Sequence, residues 1–513
     1  MRLRQLIGEI PRLNPGDLPD LQIEGVTSDS RRVARGHLFV AIRGAQQDGH
    51  GYLGEAAEAG AAALVGELPD PGLGLPYVQV PDSRLAYALL AAAWHRHPTR
   101  ELVLIGITGT DGKTTTANLL HAILHHAGHR VGLISTVNAL IGTEAVDTGL
   151  HVTTPDPLDL QAYLRKMVDR GLTHCVLEAT SHGFAQHRVA GCDFDVGVIT
   201  NITHEHLDFH GTYEAYREAK GRLFSGLKRS GSKPAGPEPA AILNRDDDSF
   251  QYLSQITSVR QISYGAAPGA DVRAEQVVLG AEGVSLVARW AGKQQSLQSG
   301  LLGEYNVANI LAAFSAAVVA LGVAPEAAAQ ALAEFGGVPG RMEAIRMGQP
   351  FQVMVDFAHT PNALREVLRA ARGVTDGQLI AVFGSAGLRD RAKRRMMAGI
   401  SIELADRTLL TAEDPRTEPL EAILQDMAAG AQAGGGVEGE TFWRVPDRGQ
   451  AIRRALQMAR PGDVVMVCGK GHEQSMCYGE VEHPWDDRLA VRAALAEHLG
   501  VEGPAMPSLP TGV

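Results

Sequence analysis

LVLIGITGTDGKTTT, residues 102–116, is an apolar run that breaks into small and polar residues and is followed by the helix-like pattern ANLLHAILHHAG. The arrangement reads as a strand, a phosphate loop and a helix. Val103, Leu104, Ile105 and Ile107 are β-prone and too few for a helix, while Gly106, Gly109 and Gly112 let backbone N–H groups turn inward. Such a loop at a helix N-terminus cradles phosphate oxygens, Lys113 supplies a charge for the outer phosphates, and the Thr114 hydroxyl can hold Mg²⁺. The full P-loop spacing would put glycine at position 107, where Ile107 stands. The match therefore rests on Gly109, Thr110, Asp111, Gly112, Lys113 and Thr114 in their strand and helix context. A Gly-rich turn with an incidental lysine is the bland alternative.

The surrounding chain has room for about three domains, at 513 residues. Its 45% hydrophobic and 20% charged content is that of a soluble globular protein. A formal charge of -11 argues against nucleic acid or an anionic membrane as the main partner. Cys175, Cys192, Cys468 and Cys477 show no CxxC spacing, so buried thiols in a reducing compartment are expected rather than zinc or disulfides. The N-terminus is too charged for a signal peptide, and residues 310–324 are too short to span a membrane and read as a buried helix. A cytoplasmic protein is expected.

Three α/β segments follow from the pattern, at 1–98, 99–334 and 335–500, with 501–513 as a flexible tail. In the first, TSDSRRVARGHLFVAI gathers Thr27, Ser28, Ser30 and two arginines beside a strand, and on spacing alone could be a solvated turn. In the second, polar residues fall just past the carboxyl ends of strands, where ligands bind in open parallel sheets. THCVLEATSHG delivers Glu178, Ser181 and His182; DVGVITNITHEHLDFHG delivers Asn201, His204, Glu205, His206, Asp208 and His210. A carboxylate and imidazoles beside a phosphate loop suit Mg²⁺, with zinc the competing reading of the three nearby histidines. Lys220, on the helical stretch YEAYREAKGRLF, reads by itself as a solvated charge. FGGVPGRMEAI resembles a hinge into the third segment, where four strand ends carry Asp356 and His359, then Arg389 and Lys393, then Glu413, Asp414 and Arg416, then Lys470, His472 and Glu473.

In this combination the chain resembles the Mur ligases, ATP-dependent amide-forming enzymes of peptidoglycan synthesis. The likeness covers roughly residues 20–495, with TSDSRRV, GTDGKTTT, TTPDP, EATSHG, NITHEHLDFHG, GEYNVAN, GRMEAI, VDFAHTPNAL, FGSAGLRDRAKRRMM, EDPR and GKGHE in family order. It implies a small N-terminal UDP-binding α/β domain, a central P-loop ATPase-like parallel-sheet domain and a C-terminal Rossmann-like domain. The branch most resembled adds a diamino acid to UDP-MurNAc-L-Ala-D-Glu, as a cytoplasmic enzyme expected to be a monomer. By the same resemblance, Gly109, Thr110, Asp111, Gly112, Lys113, Thr114 and Thr115 hold ATP phosphates. Asn306, Arg341 and Asp356 are the adenosine and phosphate contacts expected when the C-terminal domain closes. Glu178 and His206, with Thr114, resemble the Mg²⁺ site, and Lys220 falls where the family carries a carbamylated lysine that is also a metal ligand. Thr153, Thr154, Ser181, Gln186 and Arg188 match contacts to the UDP-MurNAc-dipeptide, with Ser28 and Ser30 near the uridine. Arg389, Glu413, Asp414, Arg416, Gly469 and Glu473 match the amino-acid site.

The implied chemistry follows from charge. ATP repels a carboxylate nucleophile until cations and amides neutralise its γ-phosphate; in-line attack then gives an acyl phosphate, which an amine displaces. Local departures from the family pattern are EATSH for EVSSH, His204-Glu205 for Arg-Asp, and EDPR for the DNPR typical of enzymes that add meso-diaminopimelate. The last predicts a preference for L-lysine or L-ornithine, because Asp414 would repel a distal carboxylate. A folylpolyglutamate synthetase would share the ATP chemistry but lack the segment ahead of the phosphate loop. A non-catalytic protein on the same fold would be expected to have lost Lys113, Glu178 or Lys220.

Overall fold

A computed structural model describes all 513 residues except 45–46, 143, 147–152, 204–206, 229–232, 234–235 and 511–513. The chain forms two compact units, Met1–Tyr264 with Ala312–Ala324, and Gly265–Leu311 with Pro325–Val513.

In the first unit, strands Gly25–Thr27, His37–Val40, Ala63–Gly66 and Tyr77–Gln79 form a four-stranded parallel sheet in that order. Helix Ser83–Trp94 follows. Asp82 starts it by accepting the Leu85 amide, and its apolar face joins Leu38, Val40 and Val65 in the core. The middle of the central sheet runs Ala240–Asn244, Val196–Ile199, Val103–Thr108, His174–Glu178, Val131–Ile134, all parallel, and Ala139–Ile141 and Glu144–Val146 extend it antiparallel beyond the last of these. Val103–Thr108 is buried by helices on both faces, which is why it reads as continuous rather than alternating apolar residues. The next strands in the chain, Val131–Ile134 and His174–Glu178, lie on one side of it, and the following ones, Val196–Ile199 and Ala240–Asn244, on the other. The phosphate loop therefore leaves the sheet at its topological switch point.

The second unit departs from a simple βα repeat at its start. Val272–Gly280, Gly283–Trp290 and Lys293–Ser299 are an antiparallel meander. Its second turn has positive φ at both Ala291 and Gly292, the backbone of a two-residue hairpin. The main sheet runs Glu343–Ala344, Gln352–Asp356, Val464–Cys468, Leu379–Phe383, Arg407–Leu410, Phe442–Arg444, parallel except for its first strand. The four strands expected to end in polar residues are thus neighbours. The expected buried helix at 310–324 is Tyr305–Phe314 continued by π-helical turns over Ser315–Ala320. Residues 501–510 carry no regular structure, yet Met506 and Leu509 pack on the core of this unit. Among the described residues, no helix is long and apolar enough to cross a membrane.

Candidate active site

The phosphate loop is shaped by its backbone. Gly109 has φ +150°, and a Cβ there would stand 1.8 Å from Thr200 Oγ1; Gly112, at φ +80°, enters helix Lys113–His126 without a side-chain cap. The first-turn amides of that helix have no intrahelical acceptor and face the loop. The next strand end ties the loop down. Thr200 Oγ1 donates to the Asp111 carbonyl at 2.6 Å, Asn201 Oδ1 accepts the Asp111 amide at 2.9 Å, and the Thr203 amide donates to Thr110 Oγ1 at 3.0 Å. Thr110 Oγ1 also lies 2.9 Å from the Tyr216 hydroxyl. Lys113 Nζ arches back to the Thr110 carbonyl at 2.7 Å.

Behind the loop sits Glu178, 1% exposed. Thr114 Oγ1 lies 3.0 and 3.2 Å from its two oxygens, Thr136 Oγ1 lies 2.9 Å away, and the Thr136 amide donates at 3.0 Å. Thr136 was not among the expected residues. The signal for it was the STVN sequence directly after strand Val131–Ile134, the same strand-end logic that found Glu178. Every hydrogen-bond partner shown for Glu178 is neutral, and a buried carboxylate in a shell of hydroxyl oxygens fits a hard divalent cation. His206, with His204 and Glu205, lies outside the described residues.

Lys220 is not a solvated charge. Helix Tyr213–Ser225, capped by Thr212, carries it inward to 2% exposure. Its Nζ donates to the Gly109 carbonyl at 2.5 Å and stands 4.5 Å from the Tyr216 ring centroid. Burial of a lysine against the phosphate-loop backbone reflects the rest of its helix, whose Tyr216, Leu223 and Phe224 belong to the core.

The residues expected to meet the sugar-dipeptide form a second cluster beside Glu178. Thr154 Oγ1 accepts the Thr180 amide at 3.0 Å, and Thr180 caps the short helix that starts at buried Ser181. Arg188 donates to the Thr154 carbonyl at 2.7 Å and to Gln186 Oε1 at 2.8 and 3.1 Å. Burial lowers the pKa of Arg188, opposed by nearby Asp156. Thr153 Oγ1 lies 3.1 Å from Thr136 Oγ1. Ser28 reaches the cluster through Tyr87, whose hydroxyl donates to Asp156 at 2.9 Å. Asp156 is the N-cap of helix Pro157–Asp169, as its TTPDP context predicts, and burial raises its pKa. Ser30 opens the turn Ser30–Arg32 beside the Asp29–Arg31 pair.

The second unit has its own polar cluster. Asp414 binds buried Lys470 through both oxygens, at 2.9 and 3.0 Å, and accepts the Cys477 amide at 2.9 Å. Lys470 also meets Glu473 Oε2 at 2.6 Å. Asp414 and Arg416 both have positive φ, at 41° and 55°, an uncommon conformation for residues other than glycine and one that gathers at functional sites. Glu413 is buried, and its Oε2 has no hydrogen-bond partner among the described residues; neither has Arg416 Nε. Burial pushes the Glu413 pKa up to about 7, against the pull of Lys393, Arg448 and Lys470. Gly469, at φ +115°, faces it: a Cβ there would stand 2.3 Å from Glu413 Oε2. Arg389 is exposed. Asp356 accepts the Met342 and Ala358 amides, each at 2.7 Å, and burial raises its pKa while Arg341 lowers it. Arg341 lies over the Phe357 ring at 4.5 Å. Asn306 is buried and donates to the Leu302 carbonyl at 2.7 Å.

Three family models match the chain: "Mur ligase family, catalytic domain" over residues 22–95, "Mur ligase middle domain" over 107–317, and "Mur ligase, glutamate ligase domain" over 340–471. A UDP-N-acetylmuramyl-tripeptide synthetase of Roseiflexus sp. is 44% identical over 98% of this chain and 100% of its own length. The chain belongs to the Mur ligase family. A UDP-N-acetylmuramoyl-L-alanyl-D-glutamate–2,6-diaminopimelate ligase of Geobacillus thermodenitrificans is 41% identical over 97% of the chain and 100% of its own. A solved structure of a 2,6-diaminopimelate ligase of that type superposes with TM-score 0.67 at 31% identity, covering 97% and 100% of the two chains. The Mur ligase architecture of three domains therefore holds here, with α/β domains built on parallel strands.

Proposed function

We propose that this Mur ligase is an ATP-dependent acid–amino-acid ligase that adds a diamino acid to UDP-MurNAc-L-Ala-D-Glu through an acyl phosphate, in cytoplasmic peptidoglycan precursor synthesis and as a monomer. The observation that carries the reading is the phosphate loop itself. Its glycines, the helix amides beyond Gly112, Lys113 and the Thr114–Glu178 pair stand together at the ends of two neighbouring strands. Full-length similarity to enzymes named for this reaction supports the same choice.

In this reading Gly109–Thr115 hold ATP phosphates by backbone amides and Lys113, with Asn306, Arg341 and Asp356 toward the nucleoside. Thr114 and Glu178, with His206 and Lys220 as a carbamate, would hold Mg²⁺, which when bound supplies charge neutralisation at the phosphates. Thr153, Thr154, Ser181, Gln186 and Arg188, with Ser28 and Ser30, take the nucleotide-linked acceptor. Arg389, Glu413, Asp414, Arg416, Gly469 and Glu473 take the diamino acid; domain boundaries near 98, 334 and 500 accord with this division. The test is ADP release from purified protein given UDP-MurNAc-L-Ala-D-Glu and, in turn, L-lysine, L-ornithine and meso-diaminopimelate. Release that needs both the acceptor and one amino acid supports the reading; none with any pair overturns it.

A further inference from the structure

Arg448 and Asp487 are both completely buried and pair through two contacts, Nε to Oδ1 at 2.7 Å and Nη2 to Oδ2 at 2.6 Å. Trp485 Nε1 donates to the same Oδ1 at 2.8 Å. The guanidinium also donates to two backbone carbonyls, that of Ala412 at 3.1 Å and that of Cys468 at 2.8 Å. Ala412 directly precedes Glu413, and Cys468 directly precedes Gly469. The strands these carbonyls follow, Arg407–Leu410 and Val464–Cys468, are not neighbours, because Leu379–Phe383 lies between them. One side chain thus reaches across a strand and fixes the ends of the two on either side.

A fully desolvated ion pair is a poor source of stability compared with apolar residues of the same volume. A rigid planar fork with five donors is well suited to holding two carbonyls and a carboxylate in one geometry. We propose that Arg448, oriented by Asp487, is the positioning residue of the C-terminal site, setting the separation of Glu413 from Gly469 through the carbonyls that precede them. The proposal rests on the reading of Glu413 and Gly469 as part of the diamino-acid site. The two lie close together, since a methyl group on Gly469 would stand 2.3 Å from Glu413 Oε2. Arg448 also contributes charge. The groups facing Glu413 are Lys393 from helix Ala392–Leu404, Arg448 from helix Arg448–Met458, and Lys470 and Asp414 from the strand-end loops.

Two variants separate geometry from charge. Arg448→Lys keeps the cation but loses the fork, and Arg448→Met/Asp487→Leu removes both charges while keeping volume. Thermal melts establish which variants fold, and either one suffices for the kinetics. In Arg448→Lys the KM for the diamino acid is expected to rise about tenfold or more with the KM for ATP within about twofold, and the acid limb of the kcat/KM profile to stay in place. In the double variant the same KM rise is expected, with little movement of that limb, because the cation and its counter-charge leave together. An unchanged diamino-acid KM in a folded variant overturns the proposal. Glu413→Gln and Arg416→Ala, measured alongside, test the site itself: if neither alters the diamino-acid KM, the assignment of the site fails whatever Arg448 does.

Discussion

Both carboxylate oxygens of Asp414 accept hydrogen bonds from the buried Lys470 ammonium, at 2.9 and 3.0 Å. The acidic replacement in EDPR is therefore not a bare negative charge. Lys470 offsets it, and Glu473 shares the same ammonium. Repulsion of a distal substrate carboxylate is weaker than the motif alone predicts, and the preference for L-lysine or L-ornithine expected from it would rest on a small difference. Asp414→Asn is expected to raise the ratio of kcat/KM for meso-diaminopimelate over L-lysine by about three- to tenfold, the scale of a partly compensated charge. Asparagine tolerates the positive φ at this position. Steady-state kinetics with both amino acids decide the matter, and an unchanged ratio shows that Asp414 does not select the substrate.

Lys113 is expected to act on the chemical step rather than on the fold. It is half-buried, and its one hydrogen bond among the described residues, to the Thr110 carbonyl, is local. Lys113→Ala should keep the melting temperature within a few degrees while turnover falls by about 10² or more, the loss of one strong transition-state contact. A variant that unfolds, or one that turns over normally, contradicts this.

Buried Lys220 is expected to work as a carbamate. Lys220→Ala should lose most activity and recover part of it in acetate, a small carboxylate able to take the carbamate's place. Full activity without additive would sink the idea. So would failure of acetate in a variant whose melting curve matches wild type.

The raised pKa of Glu413 has a sign that can be measured. The folded chain holds a proton between the ordinary value of 4.5 and about 7 that the unfolded chain has already released. Protonation thus favours the fold at low pH, and this contribution is lost as pH rises through that window. Glu413→Gln cannot titrate, so its melting temperature should gain on wild type from about pH 5 upward and level off above pH 7. Parallel curves at every pH would show that Glu413 titrates near its ordinary value.

Much of this was legible in the chain itself. Short apolar runs ending in polar residues located the strands that carry Lys113, Glu178, Glu413 and Gly469, because a parallel sheet presents its ligand groups at one edge and buried strands need little beyond β-branched residues. The 272–299 meander was missed because its strands carry the polar and charged residues of a half-exposed sheet. Thr136 was missed because one threonine after a strand is common.

Sequence by itself determined the fold class, the phosphate loop and the family, since each depends on local spacing that survives without knowing where the chain goes next. Only the tertiary structure decided the environment of individual charges. Lys220 looks like a surface lysine until its helix packs against the Gly109 carbonyl. Asp414 looks unpaired until Lys470, 56 residues later, folds beside it. Arg448 carries no motif at all, yet it joins two strand ends with Asp487 beneath them. Burial and counter-charge are set by contacts distant in sequence, and they fix the protonation and orientation of a side chain more strongly than its neighbours in the chain do.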